Sequence, residues 1–286
     1  MTDRVEIVEV GPRDGLQNET RLIPLAEKIA LVDLLGTAGF RRIEVASFVS
    51  PRWVPQMADS AQVLAGIARA PGVSYMALVP NLRGLERALA AGAGEGAIFV
   101  SASEGFSRAN LNCSIDESFD RLAPVAAEAR AAGLPLRGYV SCVTDCPYDG
   151  PVAPAAVAAV VARLRALGVY EVSLGETTGR GLPERVGQML AAVTSEVPAA
   201  ALAGHFHDTS GRALENVAVA LEQGLRVFDA AVGGLGGCPY APGAKGNVAT
   251  ERLLGWLTGQ GIETGLDADV VARAAAMAQS MRHAPA

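Results

Sequence analysis

The sequence predicts an α/β chain closed into a (β/α)8 barrel, with a helical extension after the barrel and a single domain spanning residues 1–286. Three observations carry this. Short β-rich runs alternate with helical stretches along the chain, and strands separated by helices pair in parallel. There are eight such runs, and eight in 286 residues suit a closed barrel better than an open sheet. The turn after the first run, Gly11-Pro12-Arg13-Asp14-Gly15, matches neither the dinucleotide fingerprint nor the phosphate loop that often marks an open sheet.

The strands are expected near Val5–Val10, Arg42–Phe48, Ser74–Val79, Ala97–Ala102, Leu136–Val143, Glu171–Gly175, Leu202–Asp208 and Val227–Val232. Between them, Leu25–Ala38, Leu82–Ala91, Ser118–Ala132, Pro154–Leu167, Leu182–Val193 and Arg212–Gln223 are rich in Ala, Leu, Glu and Arg. Their apolar residues recur at helical spacing. Gly39, Gly92, Gly133, Gly168 and Gly224 stand where C-caps belong, because a helix end turning left-handed favours a residue without a Cβ. The segment after about Glu263 is expected to be helical and to pack outside the barrel or at its mouth.

Composition excludes several classes. Half the residues are hydrophobic and 19% are charged, which is ordinary for a water-soluble domain with a substantial core. No apolar stretch approaches the roughly 20 residues needed to span a bilayer. A net charge of -6 argues against general nucleic-acid binding. The start, Met1-Thr2-Asp3-Arg4, runs almost directly into the first strand, and the four cysteines form no dense framework. Both point to the cytoplasm and to free thiols.

In such a barrel the working face is the C-terminal end of the strands. Gly204-His205-Phe206-His207-Asp208 is the most informative segment there, holding two of the chain's three histidines (the third is His283). Alternation along a strand points His205 and His207 the same way, about 7 Å apart, which is half of a metal site. Other polar residues fall on the same face: Arg13 and Asp14 after the first strand, Glu44 and Ser47 on the second, and Glu176-Thr177-Thr178 after the sixth. The loop after the eighth runs from Gly233 through Cys238 to Asn247. Asp14, His205, His207 and Asn247 are the expected ligands of one divalent ion. Mixed imidazole and oxygen donors with open positions suit Mg²⁺ or Mn²⁺ first, with zinc or cobalt as alternatives. Arg13 would sit beside the ion as a fork of donors for an oxyanion, and Glu44 would be either its ion-pair partner, the favoured reading, or a group that orients a ligand of the ion. Cys238, in a glycine-rich loop, can be delivered as a mobile acid or base. Cys142 and Cys146 lack a second pair to complete a zinc site and read as ordinary thiols, while Cys113 carries no signal beyond small-residue packing.

The run Val8-Glu9-Val10-Gly11-Pro12-Arg13-Asp14-Gly15-Leu16-Gln17-Asn18-Glu19 resembles the opening motif of the 3-hydroxy-3-methylglutaryl-CoA lyases, a family of metal-dependent TIM-barrel lyases. Ser47-Phe48-Val49-Ser50-Pro51, Trp53 to Met57, Asn112 to Ser114, Gly138 to Cys142, Cys146 to Tyr148, and Gly234 to Tyr240 extend the resemblance over nearly the whole chain. It implies cleavage of 3-hydroxy-3-methylglutaryl-CoA to acetyl-CoA and acetoacetate with Mg²⁺ or Mn²⁺, an acyl-CoA as substrate, and a homodimer. It also implies metal ligands at Asp14, His205, His207 and Asn247. The catalytic arginine would be Arg13, the loop cysteine Cys238 and the second-strand glutamate Glu44, with His205 in proton transfer.

Two positions depart from that pattern. Glu176 stands where the family has aspartate, and Ser210 where it usually has tyrosine after His-Asp-Thr. Glu176 keeps a carboxylate one methylene further out and shares with His205 the expected role of base. The departures leave open a lyase for a related 3-hydroxy-acyl-CoA. Further alternatives are a Claisen-type synthase, a metal-dependent aldolase of the same superfamily, or a barrel that has lost activity and serves as a scaffold.

Overall fold

The computed structural model describes residues 3–238 and 241–283, with backbone only at 237, 238, 241–245 and 283. Eight parallel strands close on themselves. They are β1 (Glu6–Glu9), β2 (Arg42–Ser47), β3 (Ser74–Leu78), β4 (Glu95–Ser101), β5 (Leu136–Ser141), β6 (Glu171–Glu176), β7 (Leu202–Phe206) and β8 (Val227–Ala230). Each pairs with its neighbours in sequence, and β8 returns to pair with β1 through Val8 and Asp229 among others, so no edge is left.

All eight expected strands and six expected helices are present, with ends that differ by a few residues. The five glycines named as caps have φ between 70° and 93°. Three helices lacked a clear signal in the sequence: Ser60–Gly66 and Glu104–Leu111 are short, and Thr250–Gly259 follows the glycine-rich loop. Ala268–His283 supplies the expected C-terminal helix and packs on Leu25–Gly36. Among the described residues, no helix is long and apolar enough to cross a membrane.

The apolar core lies between the strands and the outer helices, where residues such as Ile7, Ile43, Val140, Leu174 and Phe228 are buried. The lumen departs from the layers of branched apolar side chains common in such barrels. It holds charges. Arg42 binds Glu6 at 2.7 Å and Glu171 at 2.7 Å, and Arg137 binds Glu171 at 2.7 Å and Asp229 at 2.7 Å. Arg137 is fully buried. The carboxylates come from β1, β6 and β8 and the arginines from β2 and β5, so the ladder ties opposite walls together.

Burial alone would push the Glu171 carboxyl up, but Arg137 and Arg42 outweigh it and hold it below its usual range. Breaking a buried pair on one side commonly costs about 3–5 kcal/mol, because the remaining charge stays buried and unpaired. Glu171→Gln is therefore expected to lower the thermal midpoint by on the order of 10 °C. A midpoint equal to that of the parent protein would show that the two guanidinium groups find other partners.

Candidate metal centre

The site begins at β1. After Val10 the chain makes one wide helical turn, Gly11–Gly15, in which the Val10 carbonyl accepts from the amides of Asp14 (2.8 Å) and Gly15 (3.2 Å). Pro12 starts the turn, where its missing N–H costs nothing. Glycine is required at both ends by close approach. A Cβ at Gly11 would lie 2.5 Å from the Glu9 carboxylate, and one at Gly15 would lie 2.6 Å from the Leu235 Cβ. The turn thus packs against the loop that follows β8.

From this turn Arg13 and Asp14 project to the top of the lumen. Arg13 is 5% exposed. Its Nε donates to Glu44 Oε2 at 2.7 Å, and its Nη1 donates to Asp14 Oδ1 at 2.8 Å. Burial works against the Asp14 anion, but the adjacent Arg13 charge, His205 and the Asn247 amide outweigh it and hold its carboxyl below the usual range. Burial pushes Glu44 up despite Arg13, and Glu44 Oε1 has no hydrogen-bond partner among the described residues.

His205 lies on β7 and His207 just beyond it. Their Nε2 atoms are 3.3 Å apart, and His205 Nε2 is 3.9 Å from Asp14 Oδ2. Potential ligand atoms of Asp14, His205 and His207 all lie within 4.8 Å of one another. Two nitrogens each about 2.1 Å from one ion and at a right angle to it would be about 3 Å apart, so the spacing fits a shared cation. Burial and the neighbouring His205 push His207 down to about 4, leaving a neutral ring with a lone pair at physiological pH. His205 differs. Burial lowers it, but the hydrogen bond and charge of Asp229 raise it overall. The contact from His205 Nδ1 to Asp229 Oδ2 is 3.1 Å, which fixes the ring and aims Nε2 at Asp14 and His207.

Asn247 reaches the site by a return of the chain. Asp208 N–H donates to Gly246 O at 2.7 Å and Val248 N–H to Phe206 O at 3.2 Å, so residues 246–248 zip onto the end of β7. Asn247 Nδ2 donates to Asp14 Oδ2 at 2.8 Å and to Leu235 O at 3.3 Å. The amide thus offers its nitrogen to the cluster, and a half-turn would present its oxygen there instead.

Glu176 is set apart from the cluster, contrary to its expected role as base. Gly175 pairs in register with His205 and Glu176 with Phe206, so alternation turns Glu176 away from the lumen. Its Oε1 accepts from Thr178 at 2.8 Å and Thr144 at 3.2 Å, joining the loops after β5 and β6. A Cβ at Gly181 would meet Glu176 Cγ at 2.6 Å, so that glycine makes room for the longer side chain. Ser210 is exposed, with its amide on Gly179 O at 3.1 Å. Asp208 is buried against Arg252 and the Ala213 amide, where it anchors the following helix. The backbone of Cys238 lies in a short hairpin with Ala241–Lys245, while its side chain lies outside the described residues. Cys113, Cys142 and Cys146 are buried free thiols.

Four residues that sequence reading passed over complete the surroundings: Asp229, Arg137, Tyr139 and Ser173. Each stands in a strand whose partners could not be known before the barrel closed. A fifth is Glu9, whose Oε1 accepts from the amides of Gly11 (2.8 Å) and Val232 (3.0 Å) and whose Oε2 accepts from Thr250 Oγ1 (2.6 Å). It clips the Arg13–Asp14 turn to the loop and helix after β8.

A (β/α)8 barrel with an Asp-His-His cluster at the top of its lumen defines a class of barrel with a site that could hold a metal ion. The HMGL-like family profile matches residues 4–278, and the chain belongs to that family. The chicken mitochondrial hydroxymethylglutaryl-CoA lyase is 57% identical over 264 residues, covering 92% of this chain and 89% of its own. A Pseudomonas aeruginosa protein named 3-hydroxy-3-isohexenylglutaryl-CoA/hydroxy-methylglutaryl-CoA lyase is 56% identical, covering 92% and 88%. The crystal structure of the HMG-CoA lyase from Brucella melitensis superposes with a TM-score of 0.98 at 60% identity, covering 99% of this chain and all of that one.

Burial pushes the Glu9 carboxyl up to about 8, against the three donors that face it. A carboxyl raised on folding keeps its proton where the unfolded chain releases it. Its contribution to stability is thus complete below about pH 4.5 and is lost as the pH rises through about 8. Glu9→Gln, which keeps an acceptor for both amides, should flatten the fall in thermal midpoint between about pH 5 and about pH 9. An unchanged slope in the variant would exclude Glu9 as its source.

Proposed function

We propose that this protein cleaves 3-hydroxy-3-methylglutaryl-CoA to acetyl-CoA and acetoacetate. The observation that carries the reading is the convergence of Asp14, His205 and His207 within 4.8 Å, with the Arg13 guanidinium against Asp14, in a chain of the HMGL-like family. Asp14, His205 and His207 would hold a divalent cation, Mg²⁺ or Mn²⁺, with Asn247 joining through its amide oxygen. Such an ion supplies Lewis acidity, holding substrate oxygens and lowering the pKa of the 3-hydroxyl.

The protein's own groups would then move the protons and steady the charge. His205 would take the 3-hydroxyl proton only while its Nε2 lone pair is not held by the ion, and Glu176, the other expected base, faces away from the cluster. The C2–C3 bond breaks, the 3-oxygen becomes the ketone of acetoacetate, and the bonding pair passes to the thioester as an enolate. Arg13, fixed by Glu44 at 2.7 Å, donates hydrogen bonds to the enolate oxygen. Cys238 delivers a proton to C2, giving acetyl-CoA. A base inside a buried cluster and a guanidinium already in place leave little reorganisation for the reaction itself.

A second substrate is favoured by one comparison. The P. aeruginosa relative is named for both a methyl and an isohexenyl substrate, and at the rim Ser210 is small and exposed. A longer 3-alkyl chain is the analogue to assay alongside the methyl compound. As to compartment, relatives are named as mitochondrial and as cytoplasmic.

Metal-loaded protein should release acetyl-CoA from 3-hydroxy-3-methylglutaryl-CoA, lose that activity in a chelator and regain it with Mn²⁺. Arg13→Gln should reduce turnover by about 10²–10³-fold, the usual cost of one oxyanion donor, while still binding Mn²⁺. Binding of the substrate without release of acetyl-CoA by the wild-type protein would replace the lyase with a scaffold. An Arg13→Gln variant that loses its metal together with its activity would assign the arginine to the ion site instead.

A further inference from the structure

We infer that Arg137, which contacts no cluster residue directly, is the positioning residue that sets both arms of the site at once. For its kinetic half this rests on the lyase reading above, whereas its metal-binding half does not.

The inference follows from where the four hydrogen bonds of one guanidinium go. Arg137 is fully buried, and its Nη1 and Nη2 grip Asp229 at 3.0 and 2.7 Å. The same Asp229 receives Ser173 Oγ at 2.7 Å and faces His205 Nδ1 at 3.1 Å. Fixing Asp229 therefore fixes the plane of one imidazole of the cluster. Arg137 Nη1 also donates to Tyr139 Oη at 3.0 Å. That hydroxyl donates in turn to Glu44 Oε2 at 3.1 Å, the atom that Arg13 Nε holds at 2.7 Å. One guanidinium thus ends two chains, the first through Asp229 to His205 and the second through Tyr139 and Glu44 to Arg13.

The Tyr139 ring is shared between the two cations. The guanidinium carbon of Arg13 lies 5.6 Å and that of Arg137 5.1 Å from its centroid, and His205 meets it edge-on at 6.2 Å. Arg137 Nε is anchored from below by Glu171 at 2.7 Å. A planar fork with bidentate and lateral donors does this; an ammonium cannot reach three partners in those directions. Arg137 is therefore more than a countercharge. It sets the distance between the guanidinium offered to substrate and the imidazole offered to the ion.

The test compares Arg137→Lys, Asp229→Asn and Tyr139→Phe with the wild type. Each is checked for an unaltered far-ultraviolet circular dichroism spectrum. Mn²⁺ affinity of the metal-free protein is measured by titration calorimetry, and kcat and KM are measured with Mn²⁺ saturating. Asp229→Asn should weaken Mn²⁺ binding by about 10–100-fold, as loss of a ligand's orienting partner does. Tyr139→Phe should leave Mn²⁺ affinity within about twofold while kcat falls by about tenfold, since a misplaced reacting group costs up to about 10². Arg137→Lys should show both losses. A folded Arg137→Lys with wild-type Mn²⁺ affinity, or with only one of the two losses, overturns the inference. Should that variant not fold, the other two decide. Equal effects of Asp229→Asn and Tyr139→Phe on Mn²⁺ binding, or no effect of either, overturn it as well. If the wild type binds Mn²⁺ but releases no acetyl-CoA, the lyase reading fails, while the Mn²⁺ affinities still judge the Asp229 arm.

Discussion

The bidentate pair between Arg137 and Asp229 is the interaction on which the site's architecture rests. Both side chains are fully buried, and a charge in that setting is tolerated only when its partners saturate it. That demand propagates. Asp229 must be gripped by Arg137 and Ser173, Arg137 must also be met by Glu171, and Glu171 is shared with Arg42. Each residue has little freedom because the next would lose a partner if it moved. A lumen of branched apolar side chains would pack as well, yet it could not orient an imidazole or a guanidinium at its top.

The same network sets protonation as well as position. Asp229 engages His205 at Nδ1, so that Nε2 faces the cluster, while His207 is held neutral by burial and by its neighbour. Arg13 keeps Asp14 anionic and is itself held by Glu44. The His207 nitrogen, His205 Nε2 and a carboxylate then face one another, with a fixed cation to one side. Little rearrangement separates this arrangement from one that binds a divalent ion.

Much of this was legible in the residues. The eight strands follow from β-rich runs and the capping glycines, since alternation and left-handed turns are local properties. His205 and His207 could be paired because a strand's period is two, and the Arg13–Glu44 pair because a lone glutamate in an apolar strand needs a partner. Other features depend on closure. Nothing local says that Arg137, on β5, will find Asp229 of β8 across the lumen. Nor does a local pattern show that residues 246–248 return to the end of β7 and carry Asn247 to Asp14. Glu176 was misplaced for a subtler reason: it ends a strand on the working face, but its parity matches Phe206 rather than His205. A shift of one residue along a strand changes which side of the wall a carboxylate occupies.

The clip made by Glu9 has a consequence for how the chain comes into being. Its two oxygens hold backbone and hydroxyl groups that lie on either side of the seam where the last strand meets the first. During synthesis Asp14 leaves the ribosome nearly two hundred residues before His205 and His207, and well before Thr250. Until the seam shuts, the Asp14 carboxylate has only its local partners, Arg13 and Gln17, and neither imidazole. The three side chains that could hold an ion therefore meet only when the last strands have joined the first.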